Sequence, residues 1–188
     1  MKNRTALLIA LLALTACKRP AQTAIDPLPV KKAIGDVPMI DFDSPEAHFS
    51  CLAPRNWGIR SQKYLEARKG SVFTGEDGRI MVYKYPDFEP QYTDAQTYAE
   101  TFWQIAPNGK QPEIAKEKIG GTTVIRFHLE RSSLIPHSKT LMPPTRYDYA
   151  LFPIKGGFFE IQHAAPAATY QKTLPVFEAV VRSFKPKI

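Results

Sequence analysis

The chain has 188 residues, 44% of them hydrophobic, with eleven Phe and eight Tyr. That length and composition fit one folded domain and exclude a wholly disordered chain. Lys and Arg number 25 against 18 Asp and Glu, a formal net charge of +7, but the cations are dispersed, without the blocks that point to nucleic acid.

Lys2 and Arg4 open the chain, residues 6–14 are an uninterrupted apolar run, and Leu14-Thr15-Ala16-Cys17 closes it. A membrane-spanning helix needs about 20 apolar residues, and this run is about half that. A basic start, a short apolar run and a small-residue exit read as a processed signal. The stretch resembles a bacterial lipoprotein signal peptide, with residues 14–17 as its lipobox. The resemblance implies cleavage before Cys17, a diacylglycerol thioether on its sulfur and acylation of the new amino group. The folded part is then expected outside the cytoplasm, in the periplasm, anchored by lipid to the cell membrane or outer membrane. Lys18 is not the Asp that resembles an inner-membrane retention signal, which leans towards the outer membrane. Removing residues 1–16 takes away Lys2 and Arg4 and lowers the net charge from +7 to +5. That balance favours approach to anionic head groups, acidic wall polymers or acidic proteins.

Residues 17–46 read as the lipidated cysteine and a flexible linker, interrupted by Pro20, Pro27, Pro29, Pro38 and Pro45. Residues 47–188 read as the domain. Its first strand is expected over 47–54. Cys51 alternates there with its neighbours and reads as a small buried residue, without a disulfide partner once Cys17 is used. A short strand is expected over 59–62. Strands over 71–75 and 79–85 flank Asp77-Gly78, a hairpin signal. The next expected element is a helix over 94–105, with Thr93 and Gln96 as a capping box. Strands over 113–119 and 122–131 flank Gly120-Gly121, and strands over 146–154 and 158–164 flank Lys155-Gly156-Gly157. A closing helix is expected over 173–184, capped by Thr173 or preceded by an earlier turn over 167–171, with Tyr170, Leu174, Phe177, Val181 and Phe184 in its apolar rhythm.

Residues 132–145 form an enlarged connection where a hairpin needs two to five residues. It carries Leu134, Ile135, Leu141 and Met142 beside His137 and Lys139. Two readings stand: these six residues contact a partner or a lipid surface, or the apolar ones fold back to cap the core.

Several features recur together: Phe49-Ser-Cys-Leu-Ala-Pro-Arg-Asn-Trp57, residues 93–103, Ile119-Gly-Gly-Thr122, Gly157-Phe-Phe-Glu-Ile161 and Phe177-Glu-Ala-Val-Val-Arg-Ser-Phe184. In this order the chain resembles the PsbP-like superfamily, which includes DcrB-like bacterial lipoproteins, over roughly residues 49–185. The resemblance implies an α+β fold, an antiparallel sheet with helices packed on its faces in an αβα sandwich. It also implies a non-enzymatic role in binding or assembly.

No Gly-x-Ser-x-Gly elbow, His-Glu-x-x-His motif or phosphate loop is present. His128 and His163, with Glu130 and Glu160 near them, would collect on one sheet face only if register cooperates. The expectation is therefore a monomeric envelope lipoprotein acting as a non-catalytic binding module for an envelope protein or polymer. No cofactor, metal or nucleic acid is assigned to it. A hydrolase or metal-dependent enzyme is the alternative, favoured by a pocket joining His128, Glu130 and His163. A small-ligand carrier is another, favoured by an apolar cavity under the 132–145 loop.

Overall fold

The computed structural model describes residues 29–44, 47–65, 68–86, 94–101, 112–132 and 140–187. They form, in order, β1 (Lys32–Ile34), β2 (Val37–Ser44), β3 (Phe49–Pro54), β4 (Gly58–Leu65), β5 (Arg68–Thr74), β6 (Arg79–Pro86), α1 (Ala95–Thr101), β7 (Ala115–Ile119), β8 (Thr122–Arg131), β9 (Thr145–Ile154), β10 (Gly157–Pro166), α2 (Tyr170–Ser183) and β11 (Lys185–Pro186). The strands make two antiparallel sheets, one of order β1-β2-β3-β11 and one of order β4-β5-β6-β10-β9-β8-β7.

The glycine turns expected from sequence organise the large sheet. Gly120 and Gly121 hold φ of 57° and 87°, the positive values a two-residue primed turn demands, and fold β7 onto β8. Lys155-Gly156 joins β9 to β10, with Ile154 opposite Gly157. Gly75 N–H donates to Gly78 O at 2.9 Å across the β5–β6 turn.

Strand alternation then divides the side chains between two faces. Phe73, Ile80, Val82, Val124, Ala150, Phe152, Phe159 and Ile161 point to one face, where the small sheet and α2 cover them. Tyr85, Ile125, Phe127, Tyr149, Leu151 and Phe158 point to the other, with Ala95, Tyr98 and Ala99 of α1. The α2 face buries Val176, Phe177, Val180 and Val181, and Phe184 packs just beyond it. The sandwich expectation thus holds in coarse form. The described residues are mostly antiparallel sheet with two helices, and a second sheet shares with α2 the layer assigned to helix.

Three expectations are corrected. The linker read over 17–46 carries β1 and β2 in its second half. Ile40, Phe42 and Ser44 stand opposite Ala53, Cys51 and Phe49 of β3, and that buried alternation outweighs the prolines. Pro38 still uses its carbonyl, which accepts Arg55 N–H at 2.8 Å. The capping residue of α1 is Asp94, whose carboxylate accepts from Thr97 N–H and Thr97 Oγ1, each at 2.8 Å. Gln96 instead donates to Glu100 at 2.7 Å; Thr93 and residues 102–105 lie outside the described residues. Finally, α2 starts at Tyr170, so Pro175 sits inside it, beyond the first turn where a missing N–H costs nothing. Thr173 does not cap the helix, because its hydroxyl is turned to the sheet.

Candidate functional site

The main polar cluster lies where α2 crosses the large sheet. Asp148 on β9 and His163 on β10 are direct cross-strand partners. His163 is fully buried, with Nδ1 3.1 Å from Asp148 Oδ2 and Nε2 2.9 Å from Thr173 Oγ1. With the carboxylate accepting from Nδ1–H, Nε2 is left as the acceptor for the Thr173 hydroxyl. Tyr170 donates to Asp148 Oδ1 at 2.9 Å. Burial first, and then that carboxylate, push the Tyr170 phenol well above its ordinary value. The imidazole stacks on Phe177, ring centroids 5.3 Å apart.

Carboxylate, imidazole and hydroxyl in that order are the parts of an activated nucleophile. Thr173 lies at the wall of a cleft of about 280 Å³, beside Asp36, Asn56, Trp57, Asp77 and Lys172. Yet Thr173 is only 3% exposed, so a substrate carbon cannot approach its oxygen while α2 stays in place. The geometry joins β9, β10 and α2, and its bonds satisfy polar groups that burial would otherwise leave unpaired.

On the opposite face, buried Glu160 accepts a short hydrogen bond from the Tyr98 hydroxyl, which links α1 to β10. Burial, with Glu160 next in weight, pushes the Tyr98 phenol well up. Gln162 donates to Tyr149 Oη at 2.8 Å. A second groove, of about 410 Å³, runs over the small sheet beside Phe42, Cys51, Leu52 and Ser183. Burial raises the Cys51 thiol far above its ordinary value, so it stands there as a thiol and not a thiolate nucleophile.

The residues singled out from sequence are placed as follows. Cys17 lies outside the described residues, as do Leu134, Ile135, His137 and Lys139 of the long loop. Leu141 and Met142 are described, and are 63% and 47% exposed. Pro144 O accepts from Ala167 N–H at 2.9 Å, which ties the end of the loop to the approach to α2. His128 and His163 share a face and flank Asp148 from either side, but His128 is exposed and His163 buried. Glu130 is taken by Arg146 at 2.7 Å, and Glu160 points to the other face. Among the described residues His163 is bonded to Asp148 and Thr173 and Glu130 to Arg146, so His128, Glu130 and His163 are not brought together around one opening. Sequence reasoning missed the Asp148–His163–Thr173 chain. Counting back equally from the Lys155-Gly156 turn would have placed Asp148 opposite His163; nothing local could have placed Thr173 on the imidazole.

Among the described residues, two antiparallel sheets and two helices make an α+β fold, and this arrangement is consistent with a PsbP-like fold. Among solved structures, the chain is similar to the solution structure of PsbP (CyanoP) from Synechocystis sp. PCC 6803, with a TM-score of 0.51, 14% identity and coverage of 85% of this chain and 99% of that one. It is also similar to the Ran-binding protein Mog1p of Saccharomyces cerevisiae, with a TM-score of 0.50, 13% identity and coverage of 80% and 96%. At these identities the likeness is one of fold. No family model and no curated protein matches the sequence. Among the described residues no helix is long and apolar enough to cross a membrane.

Proposed function

We propose that this protein is a lipid-anchored envelope lipoprotein whose domain binds another envelope component without catalysing a reaction, and that the contact is made by the 132–145 loop. The observation that carries the reading is the exposure of Leu141 and Met142. The competing account has Leu134, Ile135, Leu141 and Met142 capping the core; the exposure of Leu141 and Met142 favours the contact surface, and Leu134 and Ile135 lie outside the described residues. Exposed apolar groups side by side favour a contact surface. The anchor rests on residues 1–17 and the binding role on the PsbP-like fold together with the closed Thr173 site.

The test replaces residues 132–145 with an Asn-Gly turn. The shortened protein should keep its denaturation midpoint and lose its partner in pull-down from native membranes. A large drop in stability would assign the loop to the core; retained partners would remove it from the binding surface.

A further inference from the structure

Cross-strand register places three arginines on one face of the large sheet. Arg60 is the partner of Val72, Val72 of Met81, Met81 of Gln162 and Gln162 of Tyr149. One row further along, Arg79 stands between Thr74 and Ala164, Ala164 pairs with Tyr147, and Tyr147 with Leu129. Direct partners share a face, as do residues two apart along a strand, so Arg131 joins the set through Leu129. Arg60, Arg79 and Arg131 thus lie on the face that carries Phe127 and Tyr149, on which α1 packs. Lys116 and Lys118 share it at the far β7 edge.

On the described strands the carboxylate of this face is Glu160, which is buried and accepts from Tyr98. Arg60 and Arg79 are exposed and Arg131 is half-buried. None of the three forms a salt bridge among the described residues. The opposite face behaves differently: Arg126 is paired with Glu117 and Glu178, and Arg146 with Glu130.

We propose that the part of this face around Arg60 and Arg79 binds an acidic polypeptide segment of another protein. Val72, Met81, Tyr147 and Gln162 lie half-buried among the arginines. Arg, Met and Tyr around a partly apolar centre, without Lys, match the composition of protein interfaces. The helix α1 sits at the other end of the face. Its Tyr98 meets Tyr85, which stands about 20 Å along β6 from Arg79 at the rise of a strand. A helix is about 10 Å across, so a planar bilayer would meet α1 first, while a chain segment can lie beside it against the arginines. This surface is separate from the 132–145 loop and needs no lipid anchor.

The experiment uses the full chain with Cys17→Ser, which makes the outcome independent of lipidation, and fluorescein-labelled poly-L-glutamate as the probe, read by anisotropy. Binding should appear at low salt and weaken as salt rises. Two exposed ion pairs contribute about tenfold together, so Arg60→Ala with Arg79→Ala should weaken binding by about that factor. Arg60→Gln with Arg79→Gln, which keeps side-chain length, should give the same loss, and thermal unfolding should not change for either pair. Lys32→Ala with Lys69→Ala removes the same charge elsewhere, Lys32 on the small sheet and Lys69 on the opposite face, one residue from the Gly70–Tyr83 pair. That pair should leave binding unchanged. Equal losses from the arginine and lysine pairs would reduce the effect to net charge and overturn the proposal, as would no binding to polyglutamate at low salt. Sedimentation with phosphatidylglycerol vesicles that needs Arg60 and Arg79, while polyglutamate binding does not, would assign the face to lipid instead.

Discussion

His163 Nε2 lies 2.9 Å from Thr173 Oγ1, and this bond fastens the centre of the large sheet to the first turns of α2. Both residues are almost fully buried. A protein interior weighs such a bond mainly through what its loss leaves behind, an imidazole nitrogen with no partner and no water.

Thr173→Val keeps the shape of the side chain and removes the hydroxyl. It should lower stability by about 1–3 kcal/mol, the cost of an unsatisfied buried polar group, read as a shift in urea midpoint. Thr173→Ser should restore most of the loss. Equal midpoints for Val and wild type would show that the bond contributes nothing net.

Phe177 is fully buried between the sheet and α2, stacked on His163 and with the Arg126 guanidinium 5.3 Å from its ring centroid. Phe177→Ala should cost about 3–5 kcal/mol, a large part of a domain's usual 5–15 kcal/mol, roughly. Denaturation of purified protein measures it directly; a change within error would mean that this face is not core.

Gly157 has φ of 133°, and a Cβ built there would lie 1.9 Å from Tyr85 O. Gly157→Ala should therefore cost more than the roughly 1–3 kcal/mol of backbone strain alone. Gly35 has φ of 57° with nothing within 4 Å, so Gly35→Ala should cost about 1–2 kcal/mol. The thermal midpoints of the two variants should fall in that order, and the reverse order would contradict the turn geometry.

The Cys51 thiol is raised by burial from its ordinary value of 9.0. The unfolded chain loses this proton first as pH rises. Its contribution to stability is complete below about pH 9 and declines above it, towards the folded-state value. Stability should fall between pH 9 and 11, roughly, and Cys51→Ala should reduce the slope. Native protein should react slowly with a thiol reagent and unfolded protein quickly. Fast native labelling would place the sulfur at the surface.

Cys17→Ala should release the protein from membranes or block its processing. Acyl chains contribute about 0.8 kcal/mol per buried methylene, so two or three chains hold a protein durably. Intact mass should show cleavage before Cys17 and added acyl groups; an unmodified mature chain would remove the anchor.

Much of the strand order was legible because hairpins are local. Asp77-Gly78, Gly120-Gly121 and Lys155-Gly156 announce their turns, and alternation such as Ile125, Phe127 and Leu129 assigns each strand a buried face. The closing helix was legible through Phe177 and Val181. β1 and β2 were not, because Pro38 and the charges around it resemble a linker until Ile40 and Phe42 meet β3. The 132–145 loop announced itself by length, but exposure of Leu141 and Met142 is a property of the packed surface. Asp148, His163 and Thr173 came together only in three dimensions. The first pair needs the exact register of a ten-residue hairpin, and the second needs α2 to cross the sheet at one place. Local sequence determines turns and alternation through backbone sterics and side-chain periodicity. Which buried polar groups meet is decided by the packing of elements distant along the chain, where each donor must find an acceptor once water is gone.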